Sequence, residues 1–161
     1  MVRKRKRKTT MKKLALVAVL AVAGCAQHQD SNAVPWEKTT AQETVAGTTV
    51  RMTVNLWLNK MPGIEGEQGH MLHGALYLDG RDDLPAHLDA KALIIKQGDM
   101  SQWVELEAID VRNHSENRWE VAFSTDMPLD EAEKVDVGLQ LTDSEKNYWL
   151  TQEAVKVDSV Y

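Results

Sequence analysis

Thr48–Lys60 reads TTVRMTVNLWLNK, and the parity of this stretch decides the fold. Val50, Met52, Val54, Leu56 and Leu58 share one parity, while Arg51, Thr53, Asn55, Trp57 and Asn59 share the other. Successive side chains of a strand point to opposite faces, so five apolar matches in a row predict a strand with one buried face. Met61-Pro62-Gly63 breaks the run, and Gly63, Gly66 and Gly69 space out a loop that follows it.

The same alternation recurs downstream. HMLHGALYLDG sets Leu72, Leu76 and Leu78 against Met71, His73, Ala75 and Tyr77, and Asp79-Gly80 closes it with turn chemistry. KALIIKQGD predicts a short strand around Leu93 and Ile95. Ser101–Val111 reads as a fourth strand, with Val104, Leu106 and Ala108 alternating with Trp103, Glu105 and Glu107. Trp119, Val121 and Phe123 point a fifth strand inward, against Glu120 and Ala122. Val135, Val137, Leu139 and Leu141 make a sixth. In the seventh, YWLTQEAVKVD, Tyr148 and Leu150 have one parity and Val155 and Val157 the other, so a bulge between them is expected to keep both ends in the core. Pro85-Ala86-His87-Leu88 and the segment from Pro128 to Glu133 read as single helical turns. Seven short strands without a long amphipathic helix predict one all-β domain over 47–161, an antiparallel β-sandwich. Jelly rolls and small barrels share this pattern. The resemblance to immunoglobulin-like (Ig-like) domains is architectural, since no second cysteine exists to form an inter-sheet disulfide.

Upstream, the chain carries an address. Arg3, Lys4, Arg5, Lys6, Arg7, Lys8, Lys12 and Lys13 form a basic front, followed by the apolar run LALVAVLAVAG and then Cys25, the only cysteine. A membrane span needs about 20 apolar residues, so this shorter run reads as a signal peptide over 1–24. Translation from Met11 would already give a signal of ordinary size, so Met1 and Met11 are both workable starts. Val22-Ala23-Gly24-Cys25 resembles the lipobox of bacterial lipoproteins. The resemblance implies that Cys25 is acylated and becomes the new N-terminus. Ala26 and Gln27, in place of an aspartate, resemble the pattern of outer-membrane lipoproteins facing the periplasm. Two or more acyl chains hold a protein stably on a bilayer, where one alone binds marginally. QHQDSNAVPWEKTTAQETVA, rich in Gln, Thr, Ser and Asn, completes an expected flexible tether over 25–46, and Trp36 after Pro35 is its one sticky residue, with the folded domain or the lipid headgroups as its two docking places.

Eight of the 19 basic residues and none of the 24 acidic ones precede Cys25, so a chain beginning there carries 11 basic against 24 acidic residues, a formal charge of −13. An acidic body disfavours nucleic acid and anionic surfaces as partners.

Two constellations carry candidate chemistry. Met61, His70, Met71 and His73 offer thioether and imidazole ligands of the kind that suit copper. Met71 and His73 lie two apart on a strand and hence on one face. Their plain structural reading is a packed methionine and solvated histidines. Trp57, Tyr77, Trp103 and Trp149 fall opposite the apolar stripes, where aromatic side chains form a contact surface for protein or glycan, or pair with each other across strands. No nucleophile-elbow, zinc-protease, phosphate-loop or dinucleotide motif occurs, and Glu105, Glu107 and Asp110 read as a solvated acidic stripe rather than a catalytic pair. The expected role is a membrane-tethered, non-catalytic binding or accessory module of the cell envelope without a cofactor. A periplasmic copper handler using Met61, Met71 and His73 is the alternative.

Overall fold

The computed structural model describes residues 33–60 and 71–161. Ten strands form two sheets packed face to face. They are β1 (Gln42–Val45), β2 (Thr48–Asn59), β3 (Met71–Gly80), β4 (Asp89–Gln97), β5 (Met100–Val104), β6 (Ile109–Ser115), β7 (Arg118–Asp126), β8 (Val135–Thr142), β9 (Asn147–Val155) and β10 (Val157–Val160). The first sheet runs β1-β2-β3-β7-β6, with β10 also paired to β2, and the second runs β5-β4-β8-β9. The protein is thus an all-β sandwich. With β2, β3, β7 and β6 in the places of strands A, B, E and D, and β4, β8 and β9 in those of C, F and G, the order is that of an Ig-like domain, with β5 added beside C.

The alternation of Thr48–Lys60 is realised without slippage. Met52, Leu56 and Leu58 are buried against Leu72, Leu76, Leu78, Leu93, Ile95, Val121, Leu139 and Leu150. Gly74 occupies an inward position of β3 because no side chain fits there: a Cβ would lie 2.1 Å from the Phe123 ring and 2.8 Å from Leu56. The expected bulge in the last long strand is present. Val137 pairs with Gln152 but Val135 with Val155, Ala154 adopts φ 55°, and its amide donates to the Asp136 carboxylate at 2.9 Å. Val155 and Val157 are both buried as a result, and the chain leaves the second sheet to lie parallel to β2 in the first.

Three expectations change. Ser101–Val111 is not one strand: the ladder stops at Val104, Leu106–Ala108 forms a 3₁₀ turn, and β6 continues in the opposite sheet. Leu106 is consequently 54% exposed although its parity matched the core. Part of the expected tether belongs to the folded body, since β1 pairs with β2 and Val34 is buried. The strands therefore number ten among the described residues, not seven.

Residues 34–41 form a strap over the second sheet and along β9. Trp36 and Val34 sit over Gly138, whose missing side chain gives them room: a Cβ there would meet the Trp36 ring at 3.3 Å, Val34 at 3.4 Å and Ile94 at 2.9 Å. The Lys96 ammonium lies 5.6 Å from the centre of the Trp36 ring. Thr39 bonds the Thr151 hydroxyl at 3.0 Å, and the Thr151 amide donates to the Thr40 carbonyl at 3.0 Å.

A candidate binding trough on the outer face of the first sheet

Register brings together residues that the sequence keeps far apart. On the outer face of the first sheet, Trp57 pairs with His73 and His73 with Ser124. Two residues along, Asn55, Ala75, Ala122 and Asp110 form a second row from β2 to β6. A third row contains Thr53, Tyr77, Glu120 and Arg112. In the middle row Ala75 is buried and Ala122 half-buried, which leaves space beside Ala122. The result is a shallow trough of about 280 Å³, which Trp57, His73, Ala122, Glu120, Arg112 and Asp110 help to line.

One wall is aromatic. The Trp57 and His73 rings are nearly parallel, with centroids 5.8 Å apart and an interplanar angle of 14°. The other wall is ionic. Glu120, whose side chain is only 12% exposed, accepts from Arg112 at 3.4 Å and contacts His114 Nε2 at 2.6 Å. Arg112 Nε donates to Asp110 at 2.8 Å, and this bond holds the guanidinium pKa above its already high ordinary value. Behind that wall the Tyr77 ring meets His114 at 6.3 Å and lies under the Arg118 guanidinium at 5.0 Å. A buried carboxylate is stable only when paired, so Arg112 and His114 fix Glu120 rather than merely neighbour it.

The four aromatic residues expected to form one face divide between two. Trp57 and Tyr77 flank the trough, whereas Trp103 and Trp149 lie on the second sheet with their rings 6.2 Å apart. There they share the outer face with Ile94, which is fully buried despite its outward parity. Met71 and His73 point outward from β3, as expected, with Met71 exposed at its end. Met61, His70 and Cys25 lie outside the described residues. Among the described residues no group of three His, Cys, Asp or Glu side chains could hold a metal ion. Asp110 belongs to the trough through its pairing with Arg112, while Glu105 precedes the Leu106–Ala108 turn and Glu107 lies within it, beside Trp103. Sequence reasoning passed over Arg112, His114 and Glu120. Glu120 did carry a faint signal, an acidic residue with an outward parity in a strand otherwise rich in apolar and aromatic residues.

Comparison with protein-family models and with curated proteins gives no match for this chain.

Proposed function

We propose that this protein is a lipid-anchored module of the bacterial envelope that binds a partner, without catalysis, through the trough on its first sheet. The single observation behind this reading is the contrast between the two outer faces: a strap from the same chain covers part of one, and the other presents shaped walls of mixed aromatic and ionic character. Aromatic groups beside fixed polar ones are the usual make-up of a recognition surface. Acylation at Cys25 would hold the body at the membrane, on the periplasmic side of the outer membrane by the residues that follow the cysteine. Two measurements test the reading. Mass spectrometry of the processed chain should find acyl groups on Cys25, and a free thiol there would end the anchoring claim. A benzophenone side chain installed at Asn55, in the middle row, should give a discrete adduct in envelope-producing cells, while the same group at Gln140 on the second sheet should not.

Copper binding through Met61, Met71 and His73 is the second reading. It is favoured by Met71 and His73 sharing the outer face of β3, with soft and borderline donors side by side. Cu(I) titration of the full chain against a competing chelator, repeated with Met71→Ala and His73→Ala together, checks it. Uptake unchanged by the double substitution rules those two ligands out.

A further inference from the structure

We infer that the exposed edge of β6 is a self-pairing site: two copies of this chain join their first sheets there, antiparallel, about a twofold axis beside Val111. The contact lies at the strand edge and stands whether or not the trough takes a partner. Other edges of the sandwich are short or partly covered. β1 and β10 are four residues each, β5 is five, and in β9 the Thr151 amide donates to the strap. β6 is seven residues long, pairs only with β7 among the described residues, and is exposed at every position after Ile109. Its outer side presents backbone amides and carbonyls to water, and such an edge is a template for a further strand.

The residues of this edge complement their own copy. The regular ladder with β7 runs from Ile109 to Asn113, between the 3₁₀ turn that ends at Ala108 and a register shift before Ser115. Val111 is the middle residue of that run. Antiparallel pairing about it sets Ile109 opposite the partner's Asn113, Asp110 opposite the partner's Arg112, and Val111 opposite the partner's Val111. Asp110 and Arg112 share the outer face, with side chains 63% and 55% exposed. The axis therefore creates two opposite-charge cross-strand pairs at once, which is a stabilising arrangement. Arg112 already uses Nε for Asp110 at 2.8 Å and Nη1 for Glu120 at 3.4 Å, and keeps Nη2 to donate to the partner's Asp110. On the inner face Val111 is 38% exposed at the rim of the core, and its copy takes that apolar surface out of water.

Charge also selects the register. A twofold axis perpendicular to the sheet keeps outer face with outer face only when it runs beside one residue rather than between two. At Asp110 it would oppose two carboxylates, and at Arg112 two guanidinium groups, both unfavourable. Charged side chains on an edge ordinarily repel a second strand. Here their opposite signs, two residues apart, admit one strand in one register. The acidic excess of the whole chain, 24 acidic against 19 basic residues, opposes the contact only weakly, because physiological salt screens exposed charges beyond about 8 Å. Five residue pairs bury less than the roughly 1,200 Å² of a standard interface, so a dissociation constant of about 100 µM is expected. Anchoring both copies to one bilayer, as proposed above, would raise their effective concentration enough for so weak a contact to form.

Disulfide trapping of the purified full-length chain in detergent tests the inference, with Cys25→Ser making the introduced thiol the only one. Val111→Cys, at an exposed position, sets two thiols across the axis, where backbone positions about 4.5 to 5.5 Å apart lie within disulfide reach. At a chain concentration near the expected dissociation constant, glutathione disulfide should convert this variant mainly to a linked dimer. The copies of Asn113→Cys lie about 14 Å apart in this pairing and should give at least about tenfold less dimer, yet Asn113→Cys mixed with Ile109→Cys should form the linked pair. Adding Asp110→Lys to Val111→Cys puts a like charge opposite the partner's Arg112 and should lower the yield about fivefold or more. Glu43→Lys, the same change of charge on β1, should not lower it. No trapping of Val111→Cys, equal trapping of Asn113→Cys, or a yield undiminished by Asp110→Lys overturns the inference. If Val111→Cys in producing cells instead forms a mixed disulfide with a different protein and none with itself, the edge has another occupant and self-pairing falls. The Asn55 photo-adduct bears on the trough alone, so either proposal can fail without the other.

Discussion

Trp36 and Trp57 stand on opposite outer faces of the sandwich, and the two faces are finished in different ways. Around Trp36 the chain folds back on itself: the strap sits over Gly138, Val34 is buried, and Ile94 is shielded although its parity directs it outward. Around Trp57 nothing comparable covers the sheet among the described residues, and the neighbours are ion pairs and small side chains. An apolar outer face is sealed because leaving it in water is unfavourable, at about 25 cal/mol per Å² of apolar surface. A face of mixed character can remain open at little cost, and so is free to take a partner. Burial of tryptophan alone therefore does not distinguish packing from recognition. What surrounds it does.

The comparison can be broken or sharpened experimentally. The interior that both faces share sets the scale. Gly74→Ala forces a methyl group onto Phe123 and should destabilise the fold by about 3 kcal/mol or more, read from chemical denaturation. Unchanged stability would show that β3 and β7 shift freely, and would undermine the trough geometry as well. On the sealed face, Trp36→Ala should cost about 2 kcal/mol, less than for a fully buried ring because Trp36 is only partly covered. The same variant should speed hydrogen exchange of the Thr151 amide, which donates to the strap. On the open face, Trp57→Ala removes an indole of equal size yet should cost under about 1 kcal/mol, the range of a cross-strand pair. Equal losses for the two tryptophans would erase the distinction between the two faces.

The smallest expected effect is fully present near neutral pH and fades only at the extremes. In the turn between β8 and β9, the Tyr148 hydroxyl donates to Asp143 at 2.7 Å, and the amides of Lys146 and Glu145 donate to the same carboxylate. Those bonds hold the Asp143 pKa below its ordinary 3.8, the Tyr148 bond first among them. The stabilisation is thus complete above pH 3.8 and is lost as pH falls through the depressed folded value. Tyr148 is raised above 10.0, chiefly by the same bond, so its share is complete below pH 10.0 and is lost as pH rises through the raised value. Melting curves of the native chain and Asp143→Asn should converge at the acid end. A gap that persists below the carboxylate range would assign the effect to packing.

How much of this could be read from the chain depended on distance. Alternation located β2, β7 and β8 because every second residue reports the same local fact. It failed at Ser101–Val111 because Val104, Leu106 and Ala108 keep one parity through a 3₁₀ turn that changes sheets, and parity carries no mark of that crossing. The strap was legible only in part, as a choice for Trp36 between the domain and the headgroups. Val34 and Trp36 are two apolar residues in a polar stretch, and only Gly138, a hundred residues later, explains why they dock. The trough depends on pairings from β2 to β6. Trp57, Tyr77, His73 and Glu120 were legible as outward-facing, whereas the pairing of Glu120 with Arg112 and His114 appears only once the β6–β7 register brings them together.

The outer edge of β2 is shared between two parts of the chain that are far apart in sequence: β1 pairs antiparallel with Thr48–Arg51, and β10 pairs parallel with Leu56–Asn59. Each guards a stretch of backbone that the other cannot reach. A truncation just before Val157 would bare the amides and carbonyls beside Leu56 and Leu58, and an exposed strand edge recruits further copies. Trimming either end to obtain a tidier domain would therefore trade solubility for self-association, at opposite ends of the same strand.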